Sequence, residues 1–348
     1  VVRLAAYPGG LPGSTEMGWI MAQKVVQAIR FHETGGPGVL RLESVEVGDP
    51  GPGQARVRHE AIGLNFIDTY HRTGLYPLPL PSGIGLEGAG VVEAVGEGVA
   101  NVRAGDRVAY AGGPPGAYAE ARCLPADRLL VLPAGIGFDI GAAMMLQGLT
   151  AAYLLRRTYR VQPGDAVLIH AAAGGVGLIA CQWAKALGAT VIGTTSTEAK
   201  AELARAHGAD HIVFYNREDV AKRVRELTGG EGVAVVYDGV GKDTFMGSLD
   251  SLRVRGMMVS FGNASGAVPP FDPLLLSQKG SLFITRPTLA HHTAKREELE
   301  DLGRELFELV ASGRVRIEVN QRYALKDAAQ AHIDLEARRT TGSTILLP

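Results

Sequence analysis

The segment from His170 to Gly177, with the sequence His-Ala-Ala-Ala-Gly-Gly-Val-Gly, constrains the fold of this chain more than any other. An apolar run at residues 166–169 precedes it, and an apolar helical pattern at residues 178–187 follows it. This order predicts a strand, a glycine-rich turn and a helix whose N-terminus binds a pyrophosphate. Alanine takes the first position of the usual Gly-x-Gly-x-x-Gly pattern. Gly174 is expected to let the backbone approach the phosphates, and Gly177 to let the helix pack on the strand.

The second half of the chain repeats this alternation of strand and helix. Six short segments are predicted as strands, at residues 166–170, 190–194, 211–215, 233–238, 256–261 and 281–285. Such alternation is typical of a doubly wound parallel sheet in an α/β fold. It favours dinucleotide binding over a glycine turn that holds no ligand.

The residues after the second strand indicate which dinucleotide is bound. No acidic residue stands directly after residues 190–194, where NAD-binding chains place the carboxylate that holds the ribose. Glu198 is expected to form a capping box with Thr195 instead. Lys200 is either a solvated helix lysine or a partner of a 2′-phosphate, and Tyr215 is placed to cover an adenosine. Because the missing acid removes a repulsion against that phosphate, the sequence favours NADPH over NADH.

The remaining parts of the chain follow other patterns. Between residues 21 and 132, short strand patterns and Gly/Pro turns predict an antiparallel, barrel-like β domain. Residues 1–20 are rich in glycine and proline without periodicity, which predicts a flexible N-terminal extension. We expect the C-terminal tail to return to the β domain. Its predicted elements are helices at residues 296–312 and 326–338 and strands at residues 315–319 and 343–347.

Composition disfavours several classes of function. The net charge of −1 provides no basic surface for nucleic acid or for an anionic membrane. Cys123 and Cys181 are too few for a disulfide framework, which suits a reducing, cytoplasmic setting. They lie in a predicted strand and a predicted helix with no Cys or His at metal spacing, and His291 and His292 are adjacent in sequence. We therefore expect no metal site.

Six segments carry a family resemblance. They read AIGLNFIDTYHRTGLYP (61–77), GIGLEGAGVVEAVGEGV (83–99), HAAAGGVGLIACQWAKALGA (170–189), VYDGVG (236–241), VSFGN (259–263) and ITRP (284–287). With them, residues 21–348 resemble the medium-chain dehydrogenase/reductase superfamily, and within it the zinc-independent, zeta-crystallin-like NADPH:quinone oxidoreductases. Zinc-dependent relatives carry a ligand Cys where Asn65 stands and a Gly-His-Glu where Gly85-Leu86-Glu87 stands. The resemblance thus also implies a metal-free site.

The resemblance implies a domain plan and a set of site residues. Residues 21–146 and 288–348 correspond to a GroES-like catalytic domain, and residues 147–287 to a Rossmann domain that binds NADPH. The implied catalytic residues are Asn65, Tyr70, Tyr76 and Arg286. The implied cofactor-binding residues are Asn65 and Thr150 near the nicotinamide, Phe261 and Asn263 at the C-terminal end of the fifth strand, Gly174, Gly175, Val176 and Gly177 at the pyrophosphate, and Lys200, Tyr215 and Arg338 around the 2′-phosphate. Gln147 departs from relatives that carry Lys there, which puts the contribution of this position to cofactor binding in doubt.

The implied activity is metal-free reduction of a quinone by NADPH in the cleft between the domains. Hydride addition to a quinone restores aromaticity, and Tyr70, Asn65 or Arg286 would polarise the quinone oxygen. Reduction of an activated C=C bond in an enone or alkenal is the alternative. A non-catalytic crystallin-like or RNA-binding role is disfavoured by the charge. The family also implies a homodimer through the edge of the cofactor-domain sheet.

Overall fold

The computed structural model describes residues 24–348, so the extension predicted for residues 1–20 lies outside the described residues. The first part of the chain is built mainly of antiparallel strands. Its elements are β1 (Lys24–Phe31), β2 (Arg41–Val47), β3 (Gln54–Leu64), α1 (Phe66–Thr73), β4 (Ser82–Gly83), β5 (Glu87–Val95), β6 (Arg107–Ala111), β7 (Ala121–Pro125) and β8 (Leu130–Val131). Strands β2, β1 and β4 form a small sheet, whereas β3, β5, β6 and β8 form a larger one with β7 on β3. The predicted antiparallel β region is therefore confirmed.

The middle of the chain alternates strands and helices. After α2 (Phe138–Tyr153), the elements are β9 (Ala166–Ile169), α3 (Gly175–Ala186), β10 (Thr190–Thr195), α4 (Glu198–Ala206), β11 (His211–Phe214), α5 (Val220–Leu227), β12 (Val233–Asp238), α6 (Phe245–Ser251), β13 (Leu252–Ser260), α7 (Leu274–Gln278) and β14 (Phe283–Thr285). The six strands are parallel, in the order β11-β10-β9-β12-β13-β14. This is the doubly wound Rossmann order, in which the chain changes direction between β9 and β12 and opens a crevice at their carboxyl ends.

The C-terminal tail returns to the first sheet, as expected. It contains α8 (Leu289–His292), α9 (Arg296–Ala311), β15 (Val319–Ala324), α10 (Ala328–Glu336) and β16 (Ser343–Leu347). Strand β16 pairs antiparallel with β3, and β15 pairs parallel with β16. The tail therefore carries α10 back to the mouth of the crevice.

Two local predictions are wrong. The strand expected at residues 315–319 begins only at Val319, because the Val315 amide donates to Leu309 O (3.1 Å) and closes the turn after α9. The capping box between Thr195 and Glu198 does not form, because Thr195 still belongs to β10. Thr197 caps α4 instead, and its hydroxyl accepts from the Lys200 amide.

Helix α2 lies at the centre of the molecule. Its apolar residues are buried against β3, β5 and β6 on one side and against α3 and α9 on the other. With the π-helical turn Leu154–Thr158 that follows, it is the one helix of the described chain long and apolar enough to cross a membrane, but 78% of its apolar window is buried inside the fold. This burial identifies it as a core helix. The domain boundary expected at residues 146 and 147 falls within it.

Candidate active site

A cavity of about 550 Å³ opens at the carboxyl ends of β9, β10 and β12, where the sheet topology predicts a ligand. This volume falls within the range that small-molecule and cofactor sites occupy. The β-rich part of the chain closes it on one side with Phe66, and the segment around α10 closes it with Leu335, Glu336, Arg338 and Thr340. We refer to it below as the cofactor cavity.

The glycine turn forms one wall of the cofactor cavity. Ala171 has a φ of 50°, so alanine adopts the left-handed conformation that glycine would usually provide. A Cβ on Gly177 would lie 2.3 Å from Ala171 O, which explains why the helix can pack on this turn only with glycine there. Gly174 caps α3 and lines the cavity. Gly175 faces the side chain of Gln147, against which a Cβ would clash at 1.9 Å.

Cationic and hydroxyl groups gather at one corner of the cofactor cavity. Lys200, Tyr215 and Arg338, which were predicted around a 2′-phosphate, all line it. Lys200 Nζ donates to Arg338 O (2.7 Å), and within residues 24–348 neither cation pairs with a carboxylate. Thr195 Oγ1 also faces this cavity, and it is buried without a hydrogen-bond partner among the described residues. Unpaired cations beside an unsatisfied hydroxyl fit a bound anionic group.

Asn65 lies in a second, buried group of polar side chains. It caps α1, and its Nδ2 donates to Glu87 Oε2 (2.6 Å) while its Oδ1 accepts from Gln147 Nε2 (3.1 Å). Gln147 in turn accepts from the Ser343 hydroxyl (2.7 Å). Glu87 is fully buried, and this burial raises its pKa to about 8. Gln147, the position that departs from some relatives, thus orients the Asn65 carboxamide.

The polar group around Glu87 is also relevant to the expected absence of a metal site. The Glu87 carboxylate accepts from the Leu146 amide (2.7 Å) as well as from Asn65. Over residues 24–348, no three His, Cys, Asp or Glu side chains gather as a metal-ligand group.

Tyr70, Tyr76, Asn263 and Arg286 form a third group. Tyr70 Oη accepts from the Asn263 amide (2.7 Å), and the rings of Tyr70 and Tyr76 meet edge to face at 5.2 Å. Arg286 donates to Ser260 O (2.9 Å) and to Tyr76 Oη (3.2 Å). In the orientation that satisfies both ends of its carboxamide, Asn263 accepts from Arg286 (3.2 Å).

The environment of Tyr70 keeps its phenol protonated. Burial raises the Tyr70 pKa to about 12, although the Asn263 amide opposes this rise. Because the oxygen already accepts a hydrogen bond from Asn263, the phenolic proton is available to another acceptor. Phe66, whose ring lies 5.6 Å from that of Tyr70, lines the cofactor cavity and joins this group to it.

The structure places the other predicted residues around these groups. Thr150, expected near the nicotinamide, is buried in the last turn of α2. Phe261 is half-buried and packs against Gly239 and the core. Val176 lies in the first turn of α3, next to Gly174. Of the residues expected to bind the cofactor, Gly174, Lys200, Tyr215 and Arg338 line the cavity itself.

Sequence reasoning missed a buried polar network behind α1. Asp68 accepts from the Asn65 amide (2.9 Å) and from the Tyr118 hydroxyl (2.8 Å). The Tyr118 hydroxyl also lies 3.2 Å from His332 Nε2, and His332 Nδ1 lies 3.0 Å from Arg72. The spacing Asn65-x-x-Asp68 was a capping signal that predicts the first of these contacts. The contacts between α1 and α10 join residues about 260 positions apart, and no local pattern indicates them.

Comparisons with known proteins place this architecture in a family. Residues 51–134 match the alcohol dehydrogenase GroES-like domain, and residues 175–305 match the zinc-binding dehydrogenase family. A quinone oxidoreductase of Pseudomonas aeruginosa is 57% identical over 325 residues, which cover 93% of this chain and all of the relative. This chain belongs to the quinone oxidoreductases of the medium-chain dehydrogenase/reductase superfamily. The predicted fold class, a GroES-like part with a Rossmann sheet, is thereby confirmed.

Two further relatives are relevant to the reaction that this chain catalyses. The structure of an Escherichia coli quinone oxidoreductase complexed with NADPH superposes with a TM-score of 0.91 at 52% identity, covering 92% of this chain and 100% of that one. A 2-haloacrylate reductase of Burkholderia is 49% identical over 332 residues, covering 93% of this chain and 99% of the relative. The quinone oxidoreductase family to which this chain belongs is thus close to an enzyme named for reducing an activated alkene.

Proposed function

We propose that this quinone oxidoreductase transfers reducing equivalents from NADPH to a quinone held between the Rossmann sheet and α1. The observation that carries the proposal is the position of the Tyr70–Asn263–Arg286 group beside the cofactor cavity. It provides hydrogen-bond donors next to a space that fits a dinucleotide. The close similarity to a relative whose structure contains NADPH supports the same cofactor here.

The residues of the cavity suit the parts of NADPH. We assign Gly174 to Gly177 to the pyrophosphate, since the N-terminus of α3 faces the cavity there. The corner formed by Lys200, Tyr215 and Arg338 takes the 2′-phosphate, because its two cations are unpaired by carboxylates in the described chain. The nicotinamide end is assigned to the residues nearest α1 and the end of β13, namely Asn65, Thr150, Phe261 and Asn263.

The side chains of this protein position the acceptor and polarise it. Bound NADPH supplies the hydride. Tyr70 donates a hydrogen bond from its phenol to a quinone oxygen, and Arg286, held by Ser260 O and Tyr76 Oη, stabilises the negative charge that develops there. Asn65 has a second N–H beyond the one given to Glu87, and this N–H is a further donor for the acceptor. Catalysis in this proposal consists of positioning and electrostatic stabilisation without a covalent intermediate.

Reduction of an activated C=C bond is the second candidate. The similarity to the 2-haloacrylate reductase favours it specifically. The same donors suit both reactions, since hydride addition to a conjugated alkene also places negative charge on a carbonyl or carboxylate oxygen. Which acceptor is reduced most efficiently in the space beside Tyr70 distinguishes the two candidate reactions.

A panel of acceptors tests the proposal. Oxidation of NADPH and of NADH is followed side by side with a para-naphthoquinone, an ortho-quinone, an enone and a 2-haloacrylate. We expect the largest kcat/KM for a quinone with NADPH. A kcat/KM that is higher for the enone or the 2-haloacrylate would favour the second candidate. Absence of turnover with every acceptor would contradict both.

We also propose that the protein is a cytoplasmic homodimer joined through β14. Strand β14 is one of the two outer strands of the six-stranded sheet, and Phe283 on it is 57% exposed. An exposed apolar edge strand is a template for pairing with a second copy. Both cysteines, Cys123 and Cys181, are free thiols, which suits a reducing compartment.

A further inference from the structure

An ion pair between α1 and α10 stands at the wall of the cofactor cavity. Arg72, on α1, donates to both carboxylate oxygens of Glu336, from NH1 to Oε2 (3.0 Å) and from NH2 to Oε1 (2.7 Å). The Arg72 side chain is 1% exposed, whereas that of Glu336 is 35% exposed. Glu336 lines the cofactor cavity, and Arg72 approaches it from behind, on the protein side. The pair therefore sets the charge of this part of the wall.

The Arg72 guanidinium is fixed in place by two further contacts. Its Nε donates to Gly35 O (3.0 Å), and NH1 also lies 3.0 Å from His332 Nδ1. Burial lowers the pKa of His332 to about 3, so the imidazole is neutral and accepts at Nδ1. A buried guanidinium with these contacts stays beside Glu336 whether or not a ligand fills the cavity.

The position of Glu336 makes its charge important for the cofactor. It stands two residues before Arg338, at the end of α10, in the same cavity as Lys200. An unpaired carboxylate there would repel a 2′-phosphate, which carries close to two negative charges, and would compete with it for both cations. Bidentate pairing with Arg72 removes most of this repulsion.

We propose that Arg72 is a specificity-determining residue for the cofactor, which acts through Glu336 by neutralising it at the 2′-phosphate corner. Arg72 itself touches no part of the cofactor in this proposal, so it is a positioning residue. The inference rests on the proposed use of NADPH. It adds a second requirement to the cations that sequence reasoning identified, namely that an ion pair must compensate the negative charge of the carboxylate nearest to them along α10.

Binding of two probes tests the inference without turnover. Isothermal titration compares 2′,5′-ADP, which carries the 2′-phosphate, with 5′-AMP, which lacks it. Arg72→Gln is expected to lower the affinity for 2′,5′-ADP about tenfold and to change the affinity for 5′-AMP by less than about threefold, because only the 2′-phosphate meets the unpaired carboxylate. The double variant Arg72→Gln/Glu336→Gln is expected to restore 2′,5′-ADP binding. Arg156→Gln, which breaks an ion pair with Glu305 on α9 that does not line the cofactor cavity, is the control.

Each outcome of this series decides the inference. Equal weakening of both probes in Arg72→Gln, or failure of the double variant to recover, would mean that Arg72 has only a structural role. If Arg72→Gln does not fold, Arg72→Lys and Glu336→Gln decide instead. Arg72→Lys keeps the charge of the pair and is expected to change the ratio of the two probe affinities by less than about threefold, whereas Glu336→Gln leaves the Arg72 guanidinium unpaired and is expected to raise the affinity for 2′,5′-ADP relative to that for 5′-AMP. A ratio that Glu336→Gln leaves unchanged would show that the charge of this pair does not reach the 2′-phosphate corner and would overturn the inference.

The same titration separates this inference from the proposed function. A wild-type protein that does not prefer 2′,5′-ADP over 5′-AMP contradicts NADPH as the cofactor. A wild-type protein that prefers 2′,5′-ADP, with variants that keep this preference, contradicts the role of Arg72 alone.

Discussion

At the scale of single residues, the phenol of Tyr70 is the most direct test of the proposed chemistry. Tyr70→Phe removes the hydrogen-bond donor to the quinone and also the acceptor of the Asn263 backbone amide. We expect kcat with a quinone to fall roughly tenfold to a hundredfold, since one lost donor to a developing oxyanion has an effect of this order or larger. Steady-state kinetics measures it. Tyr323→Phe, which removes a phenol bonded to Asp334 on α10, is the control.

The companion variant defines what would refute the polarisation account. Arg286 is the second donor in the proposal, so Tyr70→Phe/Arg286→Ala should lower kcat further than Tyr70→Phe alone. If the double variant reduces quinone at the wild-type rate, side-chain polarisation is the wrong mechanism.

The raised pKa of Glu87 predicts how the stability of the fold depends on pH. Its pKa is raised by burial from 4.5 to about 8, so between these values the folded protein binds a proton that the unfolded chain has released. The free energy of unfolding therefore falls as pH rises through this window. Asp68, whose pKa burial raises to about 7, acts in the same direction.

The variant Glu87→Gln isolates the contribution of Glu87. The carboxamides of Asn65 and Gln147 can rotate to satisfy the new amide, so the fold is expected to persist. The slope of unfolding free energy against pH should become shallower by up to about 1.4 kcal/mol per pH unit. Urea unfolding at a series of pH values between about 5 and 8 measures this slope. A slope equal to that of the wild type would mean that Glu87 is ionised throughout.

The sequence predicts the residues of the cofactor cavity but not the contact between Arg72 and Glu336, for a physical reason. Lys200, Tyr215 and Gly174 lie at strand ends and a helix start, and the sheet topology brings these positions to one edge, where the cavity is found. Arg72 and Glu336 meet only because β16 pairs with β3 and carries α10 alongside α1. Periodicity reports which face of an element is buried, and it does not report which distant element covers that face.

At the scale of elements, the turn between β9 and α3 is the most constrained. In Gly177→Ala, the new Cβ would lie 2.3 Å from Ala171 O, a backbone atom that cannot move aside without shifting the turn. We expect loss of NADPH binding and a lower melting temperature. Fluorescence titration and thermal denaturation measure the two effects. Gly135→Ala, where a Cβ meets nothing within 4 Å, is the control and should change neither.

The bounds of the strands show where a local sequence pattern is sufficient to predict an element. The strands Val233–Asp238 and Ser343–Leu347 begin and end where predicted, because apolar runs bounded by turns leave little choice of register. Val315 was predicted in a strand because it is apolar and β-branched. It is instead buried in the turn that follows α9, so its apolar side chain serves core packing and not strand pairing.

At the scale of the whole molecule, the β14 edge of the six-stranded sheet is exposed in the described chain. Strand β14 pairs only with β13 among the described elements, and Phe283 and Val254 nearby are 57% and 67% exposed. Two copies related by a twofold axis would pair their β14 strands and bury these side chains, which is the self-complementary contact that a twofold dimer requires.

The dimer proposal predicts a mass twice that of the 36.7 kDa chain in sedimentation equilibrium at micromolar concentration. Phe283→Lys is expected to shift the protein toward the monomer, because it places a charge on a strand that must pair with its own copy. Leu42→Lys changes a 43% exposed residue of β2, in a different sheet, and should leave the dimer intact. A wild-type monomer would contradict the dimer, whereas a dimer that Leu42→Lys weakens and Phe283→Lys does not would place the interface elsewhere. Because the cofactor cavity is lined by residues of one chain, monomeric Phe283→Lys should still bind 2′,5′-ADP, which separates assembly from cofactor recognition.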